Sequence, residues 1–81
     1  MANQIYDNDG ATFDRYTGVY LDEPERRLGL FAARVMSQNR SHPQGFGQYC
    51  TAMQGQHLGL RIELKDLPLA CQRLVHSDLG D

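Results

Sequence analysis

The chain has 81 residues, 41% of them hydrophobic and 22% charged, with no tryptophan and a formal net charge of −2. That balance is that of an ordinary globular chain and excludes a disordered one. At this length only about 60% of the unfolded surface can be buried, so one small core is expected in a single unit over residues 1–81. The longest apolar runs, such as Leu30-Phe31-Ala32-Ala33, fall far short of the ~20 residues that span a bilayer, so no membrane partner is expected. The first residues, MANQIYDND, carry neither a basic start nor an apolar stretch, which points to the cytoplasm and to reduced Cys50 and Cys71.

Asp9-Gly10 stands between two strand-like runs and reads as the two-residue turn of a hairpin, because glycine accepts the positive φ of a type I′ turn. That turn pairs Tyr6 with Phe13 and Ile5 with Asp14. It sends Tyr6, Phe13, Val19 and Leu21 to the core face and Asp14, Tyr16 and Tyr20 to the other. Asp22 to Pro24 then breaks the strand. The segment 27–37 fits both periods: Leu28, Phe31, Ala32, Val35 and Met36 make a helical face, whereas Phe31, Ala33 and Val35 make a strand face. The residues alone lean towards helix, with Gly29 costing it about 1 kcal/mol.

From Asn39 to Gly55 the chain is rich in Gly, Ser, Pro and Gln and reads as a long ordered loop. Leu58, Leu60, Ile62 and Leu64 alternate strictly, as in a strand. Asp66 is a good N-cap for a closing helix with Pro68 in its first turn and Gly80 as its stop. Leu67, Leu69, Ala70, Leu74 and Val75 form that helix's apolar stripe, and Cys71 lies near it. The fold class is thus α+β: a small antiparallel sheet of three to four strands with an N-terminal hairpin, a long ordered loop and one C-terminal helix.

Charge is segregated. Asp7, Asp9, Asp14, Asp22, Glu23 and Glu25 outweigh Arg15 in the first 25 residues. Residues 26–62 carry Arg26, Arg27, Arg34, Arg40 and Arg61 and no acid. Such a middle segment suits phosphate or carboxylate, unless the acidic and basic segments lie side by side and cancel, which is the commoner outcome in small domains.

Five pieces stand in order along the chain: Asn8 to Gly10, Phe13 to Thr17 (FDRYT), His42 to Gly45 (HPQG), His57 to Ile62 (HLGLRI) and Asp66 to Pro68 (DLP). This pattern resembles a family of small uncharacterised proteins borne by phages, prophages and plasmids. The chain departs from it at Arg40-Ser41 and at Leu60. The resemblance implies origin on a mobile element and a strand before the HPQG loop, and it carries no biochemical activity.

An EF-hand alignment fails, since Gly10 at position 6 puts Ile5 at position 1 and Tyr16 at position 12. His42, His57, His76, Cys50 and Cys71 show no metal-ligand spacing, so no metal or cofactor is expected. Asp14 and Tyr16 meet His42 if the loop folds over their face; a small hydrolase or nuclease would use such groups, but anchoring of the loop by Asp14 is the simpler reading. Phe46 between two glycines, with Gln44, Tyr49, Arg34 and Arg40 nearby, offers a contact surface, or else Phe46 plugs the core. The candidate binding residues are therefore Asp14, Tyr16, Arg34, Arg40, His42, Gln44, Phe46 and Tyr49.

The expected function is stoichiometric binding to a host protein by a mobile-element accessory protein, inhibition of a defence system such as CRISPR-Cas being one form of it. Nucleic-acid binding through the arginine-bearing segment is the alternative, and a small hydrolase the third. A homodimer through an exposed sheet edge is compatible with each.

Overall fold

A computed structural model describes residues 3–12, 14–24, 29–37 and 46–80, with Glu23 and Pro24 described in their backbone alone. Among the described residues, five strands form one antiparallel sheet: β1 (Asn3–Asp7), β2 (Tyr16–Pro24), β3 (Phe31–Met36), β4 (Gly47–Ala52) and β5 (Leu60–Ile62). They lie in the order β4-β3-β2-β1-β5, and one helix, α1 (Leu69–Asp78), packs on a face of the sheet. The α+β class holds, with five strands where three to four are expected from the sequence. The added strand is β4, which falls inside the stretch read as loop because Gly47–Ala52 lacks apolar alternation, whereas β5 is the strand expected from the alternation of Leu58 to Leu64, shortened to Leu60–Ile62.

The N-terminal hairpin turns where expected but pairs in another register. Asp9 and Gly10 both have positive φ (60° and 82°), and the Ala11 amide donates to the Asn8 carbonyl at 3.2 Å, as a type I′ turn requires. The strands nevertheless rejoin only at Asn8 and Arg15, so that Tyr6 lies opposite Thr17 and Ile5 opposite Gly18. The cause is the Asn8 side chain. Its Oδ1 accepts from the Gly10 and Ala11 amides at 2.9 and 3.1 Å, and its Nδ2 donates to Thr12 Oγ1 and the Asp14 carbonyl at 2.9 and 3.1 Å. One amide group thus replaces the ladder bonds of a longer hairpin. Phe13, expected opposite Tyr6, lies outside the described residues.

The period of two puts Ile5, Tyr16, Gly18, Tyr20, Arg34 and Met36 on the face beneath α1. Ile5, Tyr16, Tyr20 and Met36 are buried there with Leu67, Cys71 and Val75. Tyr16 and Tyr20 are therefore core residues, where the sequence places them away from the core. The opposite face is buried at its centre too: Val19 and Ala33 have no exposure, and Tyr6 is buried. The link from β4 to β5 runs over Tyr6, whose hydroxyl donates to Gln4 Oε1 at 2.6 Å and accepts from the Gly55 amide at 3.2 Å.

Asp22 to Pro24 are still part of β2, which is described as far as Pro24. The register slips between Tyr20–Ala32 and Pro24–Phe31, a bulge that absorbs the proline near the strand end. Residues 31–36 are strand, as the resemblance implies and against the helix towards which the residues alone lean. The closing helix begins two residues later than its cap signal suggests, with its N-cap at Pro68 instead of Asp66. Asp66 caps a 3₁₀ turn, Leu64–Asp66, by accepting from the Glu63 amide at 3.0 Å, and Pro68 is the N-cap of α1. Cys71 and Val75 bury their side chains, each such burial contributing about 1.5–3 kcal/mol for a Val-sized group, whereas Leu69 is exposed. Gly80, at φ 84°, follows the end of the helix as expected of a stop.

Candidate functional site

The densest polar cluster lies where the last turn of α1 meets β2, β3 and β4. Arg34 and Tyr49 are register partners, and Tyr20 stands on the same face two residues beyond the partner of Arg34. Asp78, the last residue of α1, reaches all three. Its Oδ2 accepts from Tyr20 Oη at 2.5 Å and Arg34 Nε at 2.8 Å; its Oδ1 accepts from Arg34 Nη2 at 2.5 Å and Tyr49 Oη at 2.7 Å. The Arg34 guanidinium also lies over the Tyr49 ring, 3.8 Å from its centroid. The Arg34 and Asp78 side chains are 12% and 5% exposed, so this is an ion pair largely withdrawn from water.

A carboxylate has about four lone-pair sites, and Asp78 uses two on each oxygen. The group is therefore fully engaged and has no acceptor position left for a substrate proton. Burial pushes the Asp78 carboxyl up, but the bonds from Arg34, Tyr20 and Tyr49 outweigh it and hold the group below the usual carboxylate range. Burial first, and then the bond to Asp78, pushes the Tyr20 phenol well above its ordinary value.

These shifts set a pH window. The depressed Asp78 stabilises the fold fully above about pH 5, and that contribution is lost as pH falls through the unfolded value near 3.9 towards the folded one. The raised Tyr20 contributes fully below about pH 9 and loses its contribution as pH rises past about 10. Urea midpoints are expected to be flat from about pH 5 to about pH 7.5 and to fall on the acid side, with that limb reduced in Asp78→Asn. On the alkaline side they should fall first as the Cys71 thiol, pushed up to about 11 by burial, and then Tyr20 lose their contributions.

The opening loop holds a second, smaller cluster. Arg15 donates to Asp7 through Nε at 2.8 Å and Nη2 at 3.1 Å and lies 3.5 Å from an Asp9 oxygen. Asp7 also accepts from the Asp9 amide at 2.8 Å. The Arg15 bond, foremost, holds the Asp7 carboxyl below its ordinary range. The Asp7 carboxylate is thus bound up in its own turn, with the exposed Asp9 carboxylate beside the same arginine. Among the described residues, no group of three or more His, Cys, Asp or Glu is placed to hold a metal.

The expected site residues separate. Arg34 and Tyr49 come together. Tyr16 is buried under α1, and the Arg15 guanidinium lies 5.4 Å from its ring centroid. The Asp14 carbonyl accepts from Asn8 and Thr12, which ties down its own loop. Phe46 is half-buried against the core and lines a cavity of about 260 Å³ with Ala70, Arg73, Leu74 and Ser77. Arg40, His42 and Gln44 lie outside the described residues. Cys50 is exposed and Cys71 buried, both as free thiols. Charge cancels differently from the side-by-side expectation: Arg15 pairs within the acidic segment, and Arg34 pairs with the closing one.

Sequence reasoning misses Asp78 and Tyr20. A signal for Asp78 exists, since an acid in the last helical turn opposes the helix dipole and calls for a cationic partner elsewhere in the fold. No protein-family model matches the chain, and no curated protein or solved structure matches it. Among the described residues, no helix is long and apolar enough to cross a membrane.

Proposed function

We propose that the chain is an accessory protein of a phage or other mobile element that works in the host cytoplasm by binding a host protein stoichiometrically. Inhibition of a bacterial defence system such as CRISPR-Cas is the use this binding serves. The observation that carries the reading is the state of Tyr49. Its side chain sits on an edge strand with the residue 62% exposed, yet its hydroxyl is tied to Asp78 and its ring is stacked on Arg34. An aromatic held rigid at the surface beside an arginine is the residue type that dominates protein interfaces, because little side-chain entropy remains to be lost on docking. The order of the FDRYT, HPQG and HLGLRI pieces supports the mobile-element origin.

Two alternatives lose ground. Among the described residues of the acid-free segment, Arg34 is neutralised by Asp78, which weakens a phosphate-binding reading built on it. The saturated Asp78 carboxylate gives a hydrolase no base at the chain's main polar cluster. A tagged chain is expected to capture one host protein at equal stoichiometry from nuclease-treated lysate, and Tyr49→Ala is expected to weaken capture at least about 30-fold, the effect of a hot-spot residue. Retention of labelled DNA or RNA with a steep salt dependence, without such a partner, would overturn the reading.

A further inference from the structure

The two edges of the sheet differ. At β5 the outward-facing residues are Gly59, Arg61 and Glu63, because Leu60 and Ile62 are the register partners of Asp7 and Ile5 and Asn8 bonds the other way, to Arg15. The Gly59 amide is taken by the Gln56 carbonyl at 3.0 Å and the Glu63 amide by the Asp66 carboxylate at 3.0 Å. A short strand, a charged residue at its middle and two occupied amides make a protected edge.

At β4 none of these devices is present. The Ser37 amide donates to the Phe46 carbonyl at 2.7 Å, which fixes the phase of the ladder. Gln48, Cys50 and Ala52 then face β3, while the backbone groups of Gly47, Tyr49 and Thr51 face away from the sheet. The strand Gly47-Gln48-Tyr49-Cys50-Thr51-Ala52 carries no charge and no proline, and Gln48 to Thr51 are all exposed. It is an extended edge of the kind that templates another strand.

The geometry points to a second copy of this chain as the occupant, paired antiparallel along β4 about a two-fold axis at Tyr49. The outward groups are symmetric about that residue. Tyr49 opposite the partner's Tyr49, and Gly47 opposite the partner's Thr51, satisfies every outward N–H and C=O of the three residues at once, as an isologous interface requires. No like charges oppose each other in the seam, since the strand has none. The product is one continuous ten-stranded sheet that sets the two Tyr49–Arg34 pairs side by side. A single-strand seam is small beside the ~1,600 Å² of a standard interface, so the dimer dissociates on dilution.

Cys50 reports the register. In this pairing it lies opposite the partner's Gln48, and the two Cys50 residues are diagonal neighbours about 7–8 Å apart on one face. Cys71 is buried and does not compete. Sedimentation of the full chain from micromolar to millimolar concentration is expected to pass from 9.2 kDa to twice that mass. A bismaleimide spanning about 8 Å should link two wild-type chains and should fail with Cys50→Ser. Thr51→Pro removes one outward amide and leaves the bonds to β3 intact, so it should give a folded monomer by circular dichroism. If that variant does not fold, the wild-type cross-link still decides. A chain that stays at 9.2 kDa throughout, a dimer that persists in folded Thr51→Pro, or a wild-type dimer that resists the cross-linker would overturn the inference. So would a monomer whose β4 is occupied by a host protein, an outcome that leaves the proposed function standing.

Discussion

Replacing Asp78 by alanine is expected to cost about 3–5 kcal/mol of folding stability, the penalty of breaking a buried ion pair from one side. The Arg34 guanidinium, on a side chain only 12% exposed in the intact protein, cannot shed its charge and is left without its carboxylate, while the buried Tyr20 hydroxyl loses its acceptor. Small domains hold only about 5–15 kcal/mol in all, so the variant sits near the threshold of folding. Urea denaturation of Asp78→Ala, Arg34→Met and the double variant checks the claim. The double variant should lose less than the sum of the two singles by about 0.5–3 kcal/mol, because the second substitution removes the charge that the first had stranded. Strictly additive losses would mean that the pair does not hold the helix end to the sheet.

Gly59→Ala is expected to be the other severe change. Gly59 has φ 115°, outside the range that residues with a Cβ readily adopt. A Cβ there would press on the Asp7 carbonyl oxygen and stand 2.6 Å from the Asp7 carbonyl carbon and 2.8 Å from Asn8 Cα, all backbone atoms that cannot rotate away. Strain and clash together are expected to cost at least about 3 kcal/mol, lowering Tm by about 12–24 °C in a domain of this size. Gly18→Ala is the matched control. Gly18 is buried in β2, but an added methyl would meet Tyr20 at 3.9 Å and Met36 at 4.0 Å, ordinary contact distances. That variant should match the wild type or gain up to about 1 kcal/mol in stability, since alanine costs the strand less entropy than glycine. Equal effects at the two positions would mean that the approach of residue 59 to β1 is looser than described.

The elements with strong local signals are legible in the sequence. The Asp9-Gly10 turn, a strand within HLGLRIEL and the closing helix with Gly80 after it all follow from residue chemistry. What escapes depends on distant groups. The hairpin register is displaced because a side chain, Asn8, supplies bonds that the strand pattern assigns to backbone. β4 is hidden because Gln48 to Thr51 are exposed on both faces of the strand, so no apolar alternation is required there. Tyr16 and Tyr20 read as surface residues because the pattern of β2 shows two usable faces, and α1, far along the chain, takes the one that alternation alone disfavours. Of the candidate site, Arg34 and Tyr49 are visible from the sequence as types, whereas their dependence on Asp78 arises only from the docking of the last helix.

The path of the chain through the sheet bears on how fast it can form. β2, β3 and β4 are joined in succession by near-neighbour pairings, but β1 is enclosed between β2 and β5, and Ile5 meets Ile62 across most of the chain's length. Closing so large a loop is slow, because its entropy is lost before the pairing repays it. The meander β2–β3–β4 can therefore assemble early, with β5 and α1 arriving last. Until they do, the Arg34 guanidinium and the Tyr20 hydroxyl remain in water, and β1 stands as a second unprotected edge. During synthesis this exposed interval lasts until the residues of α1 have left the ribosome, and partly assembled sheets with open edges are the species most prone to aggregate.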